Sequence, residues 1–209
     1  ILSKVVVEER EHLWIVRINA PERRNALGRE VVQGLLDAAE RVATQKAVRC
    51  VILCGAGEKA FCAGADLKER KGMPEPQVRE FVSLLNRMMN TIATSPKVWI
   101  GALQGACLGG GLELPLGCHF RLAAIENAQI GLPELDLGAV PAWGGSARLT
   151  KCVGEQHALD MILRSKKVSG PRALEIGLVH EVWPLEELKP AAISLAHELA
   201  AQPAKAVES

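Results

Sequence analysis

The chain has 209 residues, of which 48% are hydrophobic and 23% charged, a balance typical of folded globular domains rather than disordered or collagen-like sequences. Its 25 basic and 24 acidic residues give a net charge of +1, so the composition provides no attraction for nucleic acid or an anionic membrane. Three Phe, four Trp and no Tyr also leave few aromatic rings on which single-stranded bases could stack.

Strands and helices alternate along the first half of the chain. Short runs rich in β-branched residues predict strands, and apolar residues at helical spacing predict amphipathic helices. The first two strands are separated by a short charged segment, which predicts a hairpin. The predicted strands cover residues 4–9, 13–18 and 48–53, and the predicted helices cover 29–44 and 76–94. A glycine-containing loop at residues 61–70 lies between the third strand and the second helix.

The second half has further buried strands but ends mostly in helices. Strands are predicted at residues 98–103, 120–124, near 129–131 and near 179–183, and three glycines open a helix at Gly109–Gly111. This alternation predicts an α/β fold with a mostly parallel sheet covered by helices. We expect one domain over residues 1–209. Its α/β core would cover 1–185, and 186–209 would begin a helical C-terminal layer that looks incomplete, as in a truncated chain.

Signals for export, membrane insertion and metal binding are missing from the sequence. No segment has the roughly 18 apolar residues of a spanning helix, and the N-terminus has no signal-peptide pattern. The six cysteines form no Cys-x-x-Cys pair and no Cys/His ligand spacing. We therefore expect no metal site, no membrane partner and a reducing compartment, either the cytoplasm or, in a eukaryote, the mitochondrial matrix.

Two glycine-containing segments could present backbone amides to a ligand. Gly64 can adopt a conformation that turns the amide of Ala65 into a cleft, and the glycines at 109–111 leave free N–H groups at a helix start. Two such amides from separate loops are what an oxyanion hole requires. Taken alone, the same glycines are also compatible with close packing.

Two glutamates accompany these segments. Glu113 lies three residues after Gly110, on the same face of the predicted helix, and Glu134 follows Pro133 on a stiff turn. Two carboxylates at one site can divide acid and base roles. Alone, Glu113 also suits a helix N-terminus without catalysis, Glu134 suits a surface turn, and Lys68–Arg70 suit a solvated face.

Several motifs in a fixed order strongly resemble the enoyl-CoA hydratase/isomerase (crotonase) family. They are FCAGADLKER at 61–70, GACLGGGLELPLGC at 105–118 and GLPELDLGAVPAWGGSARL at 131–149, with PERRNAL at 21–27 and ALEIGLVHEVWPLEEL at 173–188 on the flanks. The DLKER variant is most similar to the branch that includes methylglutaconyl-CoA hydratase. The resemblance covers essentially the whole chain and implies a crotonase-like fold.

The resemblance implies roles for the residues that match the family motifs. The amides of Ala65 and Gly110 would hold the thioester oxygen. Glu113 would activate a water for attack at C3, and Glu134 would protonate C2. Coenzyme A would enter only as part of the acyl-CoA substrate, with no metal or other cofactor, and the assembly would be a homotrimer or a dimer of trimers. Lys68 would meet a phosphate of coenzyme A. The other expected substrate contacts are Arg23, Arg24, Ala26, Leu27, Ala63, Asp66, Leu67, Pro133, Ala142 and Trp143.

The sequence departs from the family pattern at several positions. Hydratases usually read PGAGG or PGGGG where this chain has PAWGG at 141–145, so Ala142 replaces a glycine and Trp143 replaces an alanine or glycine. A Pro-x-Trp-Gly-Gly segment is similar to that of acyl-CoA decarboxylases in the same superfamily. His119 replaces the usual aspartate, and we expect it to be structural. Pro115 falls inside the glycine-led helix, where proline is tolerated only in the first turn.

These departures leave several functions open. The leading hypothesis is hydration of a trans-2-enoyl-CoA, including branched ones such as 3-methylglutaconyl-CoA. Alternatives are decarboxylation of a malonyl-type acyl-CoA, double-bond isomerisation, or a catalytically silent member. RNA binding, known for one relative in the DLKER branch, is disfavoured because helix 29–44 lacks a basic stripe: Arg29 and Arg41 are offset by Glu30, Asp37 and Glu40.

Overall fold

Nine strands form two sheets within residues 3–207, the part of the chain that the computed structural model describes. The strands are β1 (Val5–Glu9), β2 (Leu13–Ile18), β3 (Cys50–Gly55), β4 (Ala60–Cys62), β5 (Val98–Leu103), β6 (Ala106–Leu108), β7 (Phe120–Ala124), β8 (Gln129–Gly131) and β9 (Glu181–Trp183). Six of them form one sheet in the order β1-β2-β3-β5-β7-β9, and β4-β6-β8 form the other.

Eight helices cover these sheets in the same range. They are α1 (Arg29–Ala43), α2 (Leu67–Arg70), α3 (Glu75–Ala93), α4 (Gly110–Leu116), α5 (Gly145–Leu163), α6 (Gly170–Glu175), α7 (Leu185–Ala200) and α8 (Ala204–Val207). Short 3₁₀ turns occupy Pro21–Arg23 and Glu134–Leu137. Gly154 has a positive φ of 79° and interrupts α5 with a kink.

The large sheet is buried on both faces, which explains its nearly continuous apolar strands. Only the β1–β2 hairpin is antiparallel, and the other neighbouring pairs are parallel. Alternate residues of β2 point to opposite sides: Trp14 and Val16 belong to the main core with α1 and α3, whereas Ile15 packs toward α7. The α7 face is closed by Leu188, Ala192 and Ala196. The predicted α/β class with a mostly parallel sheet is confirmed.

The small sheet was not predicted, although β8 alone was expected. Strands β4 and β6 have three residues each; β4 overlaps a predicted loop, and no element was predicted at the position of β6. Three residues are too few to show the period-2 alternation by which strands are recognised. The three strands run parallel, paired β4–β6 and β6–β8, so their carboxyl ends lie along one edge.

Two details of the fold differ from the sequence prediction. Strand β3 begins at Cys50 rather than at residue 48. Pro115 is the sixth residue of α4, beyond the first turn, where the missing N–H leaves the carbonyl of Gly111 free. The thiol of Cys107 donates to that carbonyl, with Sγ 3.3 Å from the oxygen, which compensates for the lost helical bond.

The division of the single domain at residue 185 stays a prediction.

Candidate active site

Three loops that follow the small sheet converge at its carboxyl edge. Strand β4 leads into residues 63–66, β6 leads into Gly109 and Gly110, and β8 leads into the turn that carries Glu134. Ligand sites in α/β proteins commonly lie beyond the carboxyl ends of parallel strands, because the loops there are neighbours in space. The unpredicted sheet is therefore what brings the three sequence motifs together.

Two backbone amides face the space between these loops. Gly64 has φ +99°, and a Cβ there would lie 2.8 Å from the carbonyl oxygen of Leu108 and 3.6 Å from the nitrogen of Gly110. The peptide after Gly64 is therefore close to the start of α4. Neither the amide of Ala65 nor that of Gly110 donates a hydrogen bond within residues 3–207. Both are available as donors, as an oxyanion hole requires.

Glu113 is almost completely buried, with 1% of its surface exposed. Its Oε1 accepts hydrogen bonds from the amides of Trp143 and Gly145, each at 2.9 Å. Burial raises the pKa of Glu113, and the two amide bonds and the charge of Arg148 oppose that rise. The amides therefore favour the carboxylate form and fix its orientation.

The carboxyl group of Glu134 has different contacts from that of Glu113. Its Oε2 is buried and has no hydrogen-bond partner within the described chain. Burial raises the pKa of Glu134 to about 7, and the negative charge of Glu113 raises it further in the same direction. A Cβ at Gly109 would lie 3.1 Å from Glu134 Oε1, so this carboxyl group lies over the start of α4. Near neutral pH a substantial fraction of Glu134 is therefore protonated.

The side chain of Trp143 packs over Gly110. A Cβ at Gly110 would overlap Cζ3 of the indole ring and would lie 2.7 Å from Cε3, so only glycine fits beneath this ring. Arg148 Nη1 donates to the carbonyl of Trp143 at 3.1 Å and Nη2 reaches Asn90 Oδ1 at 3.4 Å. Arg148 thus ties the Trp143 turn to α3, and through that turn it supports the amides that hold Glu113.

The segment at 21–28 is hydrogen-bonded to the loop at 63–66 and to the start of α2. The amide of Leu27 donates to Gly64 O at 2.8 Å, and the amide of Ala63 donates to Arg24 O at 3.0 Å. Arg23 forms an ion pair with buried Asp66, whose Oδ1 also accepts the amides that begin α2. Glu69 Oε1, on α2, accepts the amide of Arg29 at 2.9 Å and so caps the first turn of α1.

A cavity of about 490 Å³ gathers most of the predicted site residues. Those that line it are Ala63, Ala65, Leu67, Gly110, Glu113, Pro133, Glu134, Ala142 and Trp143. Arg23, Ala26 and Asp66 line another cavity, of about 410 Å³. Leu27 is buried with its Cδ1 near Gly110. Arg24 and Lys68 are exposed and line neither cavity.

Sequence reasoning missed several residues of this site. Arg70 lines the 490 Å³ cavity although the sequence placed it on a solvated face, and Val82, Leu137 and Val140 supply apolar wall. Arg148 lies inside the GGSARL segment but carried no predicted role. Val82 is one of the apolar residues whose spacing predicted the helix at 76–94. No local pattern placed Arg70, Leu137, Val140 or Arg148 at the site, because their positions depend on how separate segments meet.

His119 is placed away from the cavity and has a structural contact. Its Nδ1 accepts the amide of Trp99 at 3.1 Å, at the edge of β5. Within residues 3–207, no group of three or more His, Cys, Asp or Glu side chains is arranged to hold a metal ion. No helix in that range is long and apolar enough to cross a membrane.

Chemically, the cavity can bind a carbonyl oxygen and move protons beside it. The two free amides suit an oxygen that gains negative charge. The two glutamates form a coupled pair in which burial raises the pKa of both. Two amides and the charge of Arg148 oppose that rise at Glu113, whereas the pKa of Glu134 reaches about 7. Apolar side chains around them would exclude water from a bound acyl group.

Comparison with known proteins gives concordant matches along nearly the whole chain. Residues 8–209 match the family model described as enoyl-CoA hydratase/isomerase. The chain is 36% identical over 188 residues to the crotonyl-CoA hydratase of Syntrophomonas wolfei, covering 90% of this chain and 72% of that protein. It is also 36% identical over 193 residues to mouse mitochondrial methylglutaconyl-CoA hydratase, covering 92% of this chain and 61% of that protein.

A solved structure agrees with these sequence matches. The crystal structure of an enoyl-CoA hydratase from Bacillus anthracis superposes with a TM-score of 0.94 at 39% identity, covering 98% of this chain and 80% of that one. This chain therefore spans between about three fifths and four fifths of the length of these three proteins.

Proposed function

The chain belongs to the enoyl-CoA hydratase/isomerase family, as its motifs predict, and we propose that within this family it adds water across the 2,3 double bond of a trans-2-enoyl-CoA. The observation that carries the proposal is one cavity lined by two free amides, at Ala65 and Gly110, and by two glutamates, of which Glu113 accepts two backbone amides and Glu134 has a pKa of about 7. The hydratases among its relatives support the same reaction.

In the proposed reaction the amides hold the thioester oxygen. Negative charge moves onto that oxygen as an enolate forms, and the fixed N–H donors of Ala65 and Gly110 stabilise it. Because this stabilisation comes from backbone donors, the proposed chemistry needs no metal or redox cofactor, and coenzyme A is part of the substrate. Polarising the carbonyl also makes C3 electrophilic, which prepares it for attack by water.

The glutamates would supply the base and the acid. Oε1 of Glu113 is occupied by two amides, which leaves Oε2 to take a proton from water as the water oxygen bonds to C3. Glu134, with a pKa of about 7, would donate its proton to C2. The enolate collapses to the saturated 3-hydroxyacyl thioester. One water is added in total, and the proton gained by Glu113 replaces the one lost by Glu134.

The coenzyme A contacts, the oligomeric state and the compartment that the sequence predicts are part of the same proposal. Arg23, Arg24, Ala26, Leu27, Asp66 and Lys68 would bind the coenzyme A part of the substrate, and the protein would act as a homotrimer or a dimer of trimers without nucleic acid or membrane partners. Its compartment would be the cytoplasm or a mitochondrial matrix.

The test is loss of the conjugated-thioester absorbance of crotonyl-CoA. We expect fast loss with the unmodified protein and a fall of at least 100-fold in Glu113→Gln and Glu134→Gln, since each removes a proton-transfer group. Glu155→Gln, an exposed position on α5, is the matched control for loss of one charge. Inactivity on crotonyl-CoA together with release of carbon dioxide from a malonyl-type CoA would replace hydration by decarboxylation.

A further inference from the structure

Among residues 3–207, one positive side chain, that of Arg70, lines the 490 Å³ cavity in addition to Glu113 and Glu134. Arg70 is the last residue of α2 and is only partly exposed. Its guanidinium has no ion-pair or hydrogen-bond partner within residues 3–207. A cation on a largely apolar wall is costly unless something pairs with it.

Arg70 does not serve the two glutamates. No contact within 4 Å joins its guanidinium to either carboxylate. The charges that influence Glu113 and Glu134 are instead Arg148 from α5 and the other glutamate of the pair. Arg70 is therefore separated from the glutamate pair, on a different part of the same cavity wall.

The surface around Arg70 is apolar. Leu67, Val82, Leu137 and Val140 contribute to the cavity with it. Such a surface suits the hydrocarbon part of an acyl group, while a guanidinium suits a carboxylate, which it binds through two parallel hydrogen bonds. The neighbouring cation Lys68 lies outside this cavity, so the positive charge within it is specific to position 70.

We propose that Arg70 is a specificity-determining residue that binds a carboxylate at the far end of the acyl group, so that the cavity selects short 2-enoyl-CoA substrates derived from dicarboxylic acids. The thioester would lie at the amides of Ala65 and Gly110, and the chain would extend past the glutamates to Arg70. This inference rests on the proposed function for the position of the thioester.

The first experiment uses saturated thioesters, which cannot be hydrated. Binding of glutaryl-CoA and butyryl-CoA is measured by calorimetry for the unmodified protein, Arg70→Met, Arg70→Lys and the control Lys71→Met, at an exposed neighbouring position. We expect glutaryl-CoA to bind at least 10-fold more tightly than butyryl-CoA. Arg70→Met should remove that preference and leave butyryl-CoA within about threefold, because a carboxylate–guanidinium pair is worth about tenfold or more.

The variants separate the possible roles of Arg70. Arg70→Lys keeps the charge but not the bidentate geometry, and should retain part of the preference, whereas Lys71→Met should retain all of it. Equal weakening of both ligands in Arg70→Met would overturn the proposal, since it would place the guanidinium on the coenzyme A phosphates that the two ligands share. Absence of a glutaryl preference in the unmodified protein would overturn it as well.

A kinetic experiment distinguishes this inference from the proposed function. The ratio of kcat/KM for glutaconyl-CoA to that for crotonyl-CoA should fall by at least 10-fold in Arg70→Met. If neither thioester is hydrated while glutaryl-CoA still binds preferentially, the proposed hydration fails and carboxylate recognition stands. If both are hydrated with a ratio unaffected by Arg70→Met, hydration stands and carboxylate recognition fails.

Discussion

The backbone amide of Trp143 donates to Glu113 Oε1 at 2.9 Å, while the indole ring of the same residue packs over Gly110. The two interactions use different parts of Trp143. The peptide unit orients the glutamate, and the ring closes the cavity beside the first amide of α4. The bulky residue that departs from the family pattern is thus compatible with a fixed Glu113, because its contribution to the carboxylate comes from the main chain.

Arg148 is expected to influence Glu113 through this turn. Its Nη1 holds the carbonyl of Trp143 at 3.1 Å, and its charge lowers the pKa of Glu113. In Arg148→Gln the acidic limb of the kcat/KM profile should therefore move to higher pH. Arg148→Lys keeps the charge and should keep the limb near its original position. An unmoved limb in a folded Arg148→Gln protein would contradict this role.

Gly110→Ala should destabilise the protein because the new methyl group collides with the Trp143 ring. We expect a loss of about 1–3 kcal/mol in the free energy of unfolding, as for other overpacked cores. Removing the ring in Trp143→Ala should relieve the collision. The double variant should therefore lose less free energy of unfolding than the two single variants lose in sum, by about 1 kcal/mol or more. Urea unfolding of the four proteins measures this coupling, and simple additivity would show that the ring is not the obstacle.

The proposed acid role of Glu134 predicts a basic limb in the pH profile. Its pKa of about 7 means that the protonated form declines above neutrality, so kcat/KM for crotonyl-CoA should fall about tenfold per pH unit beyond that point. The two glutamates titrate as a pair, and the limb reports that pair. A rate that stays level to pH 9 would show that no proton from Glu134 is needed.

Glu134→Gln should stabilise the fold at alkaline pH. The native pKa of Glu134 is about 7, above its ordinary value of 4.5, so the native state binds more protons than the unfolded chain between these values. The contribution of Glu134 to the free energy of unfolding is fully present below about pH 4.5 and is lost as the pH rises through 7. Glutamine avoids that loss, and we expect a gain of about 1–2 kcal/mol at pH 8, allowing for partial solvation. At pH 4.5 the two proteins should unfold at nearly the same urea concentration.

Two histidines should make the fold sensitive to acid. Nδ1 of His119 accepts the amide of Trp99, and Nδ1 of His180 accepts the amide of Arg121 at 3.2 Å. Burial and the nearby charge of Arg121 lower the pKa of both rings, so the unfolded chain takes up protons first. Their contribution to stability is present above about pH 6.5 and is lost as the pH falls toward the lower native pKa.

Asparagine replacements test this acid sensitivity because an amide oxygen can accept the same backbone bond. Between pH 6.5 and 5, His119→Asn and His180→Asn should lose less stability than the unmodified protein, whereas His197→Asn, at an exposed position on α7, should follow it. Identical slopes in all four proteins would show that neither ring is kept neutral by the fold.

Local sequence patterns determined the large sheet and its helices. Strands such as β2 and β5 are long enough to show buried apolar runs, and α1 and α3 show helical periodicity, because each of these patterns is complete within one element. The motifs around Gly64, Gly110, Glu113 and Glu134 likewise indicated the family, since their order and spacing lie in the sequence itself. No local pattern in the sequence indicated how the fold changes the pKa of either glutamate.

Tertiary structure decided what these motifs form together. The small sheet of three-residue strands aligns their loops, and it could not be predicted because a pairing between distant short segments leaves no periodicity in either of them. Burial within the assembled cavity then raises the pKa of Glu134, and the turn after β8 brings Trp143 onto Gly110. Arg70 shows the same principle: the sequence placed it on a solvated face, but the convergence of α2, α3 and the 137–140 loop turns its surroundings into a cavity. Desolvation and charge separation depend on which chain segments meet, and that is a property of the fold alone.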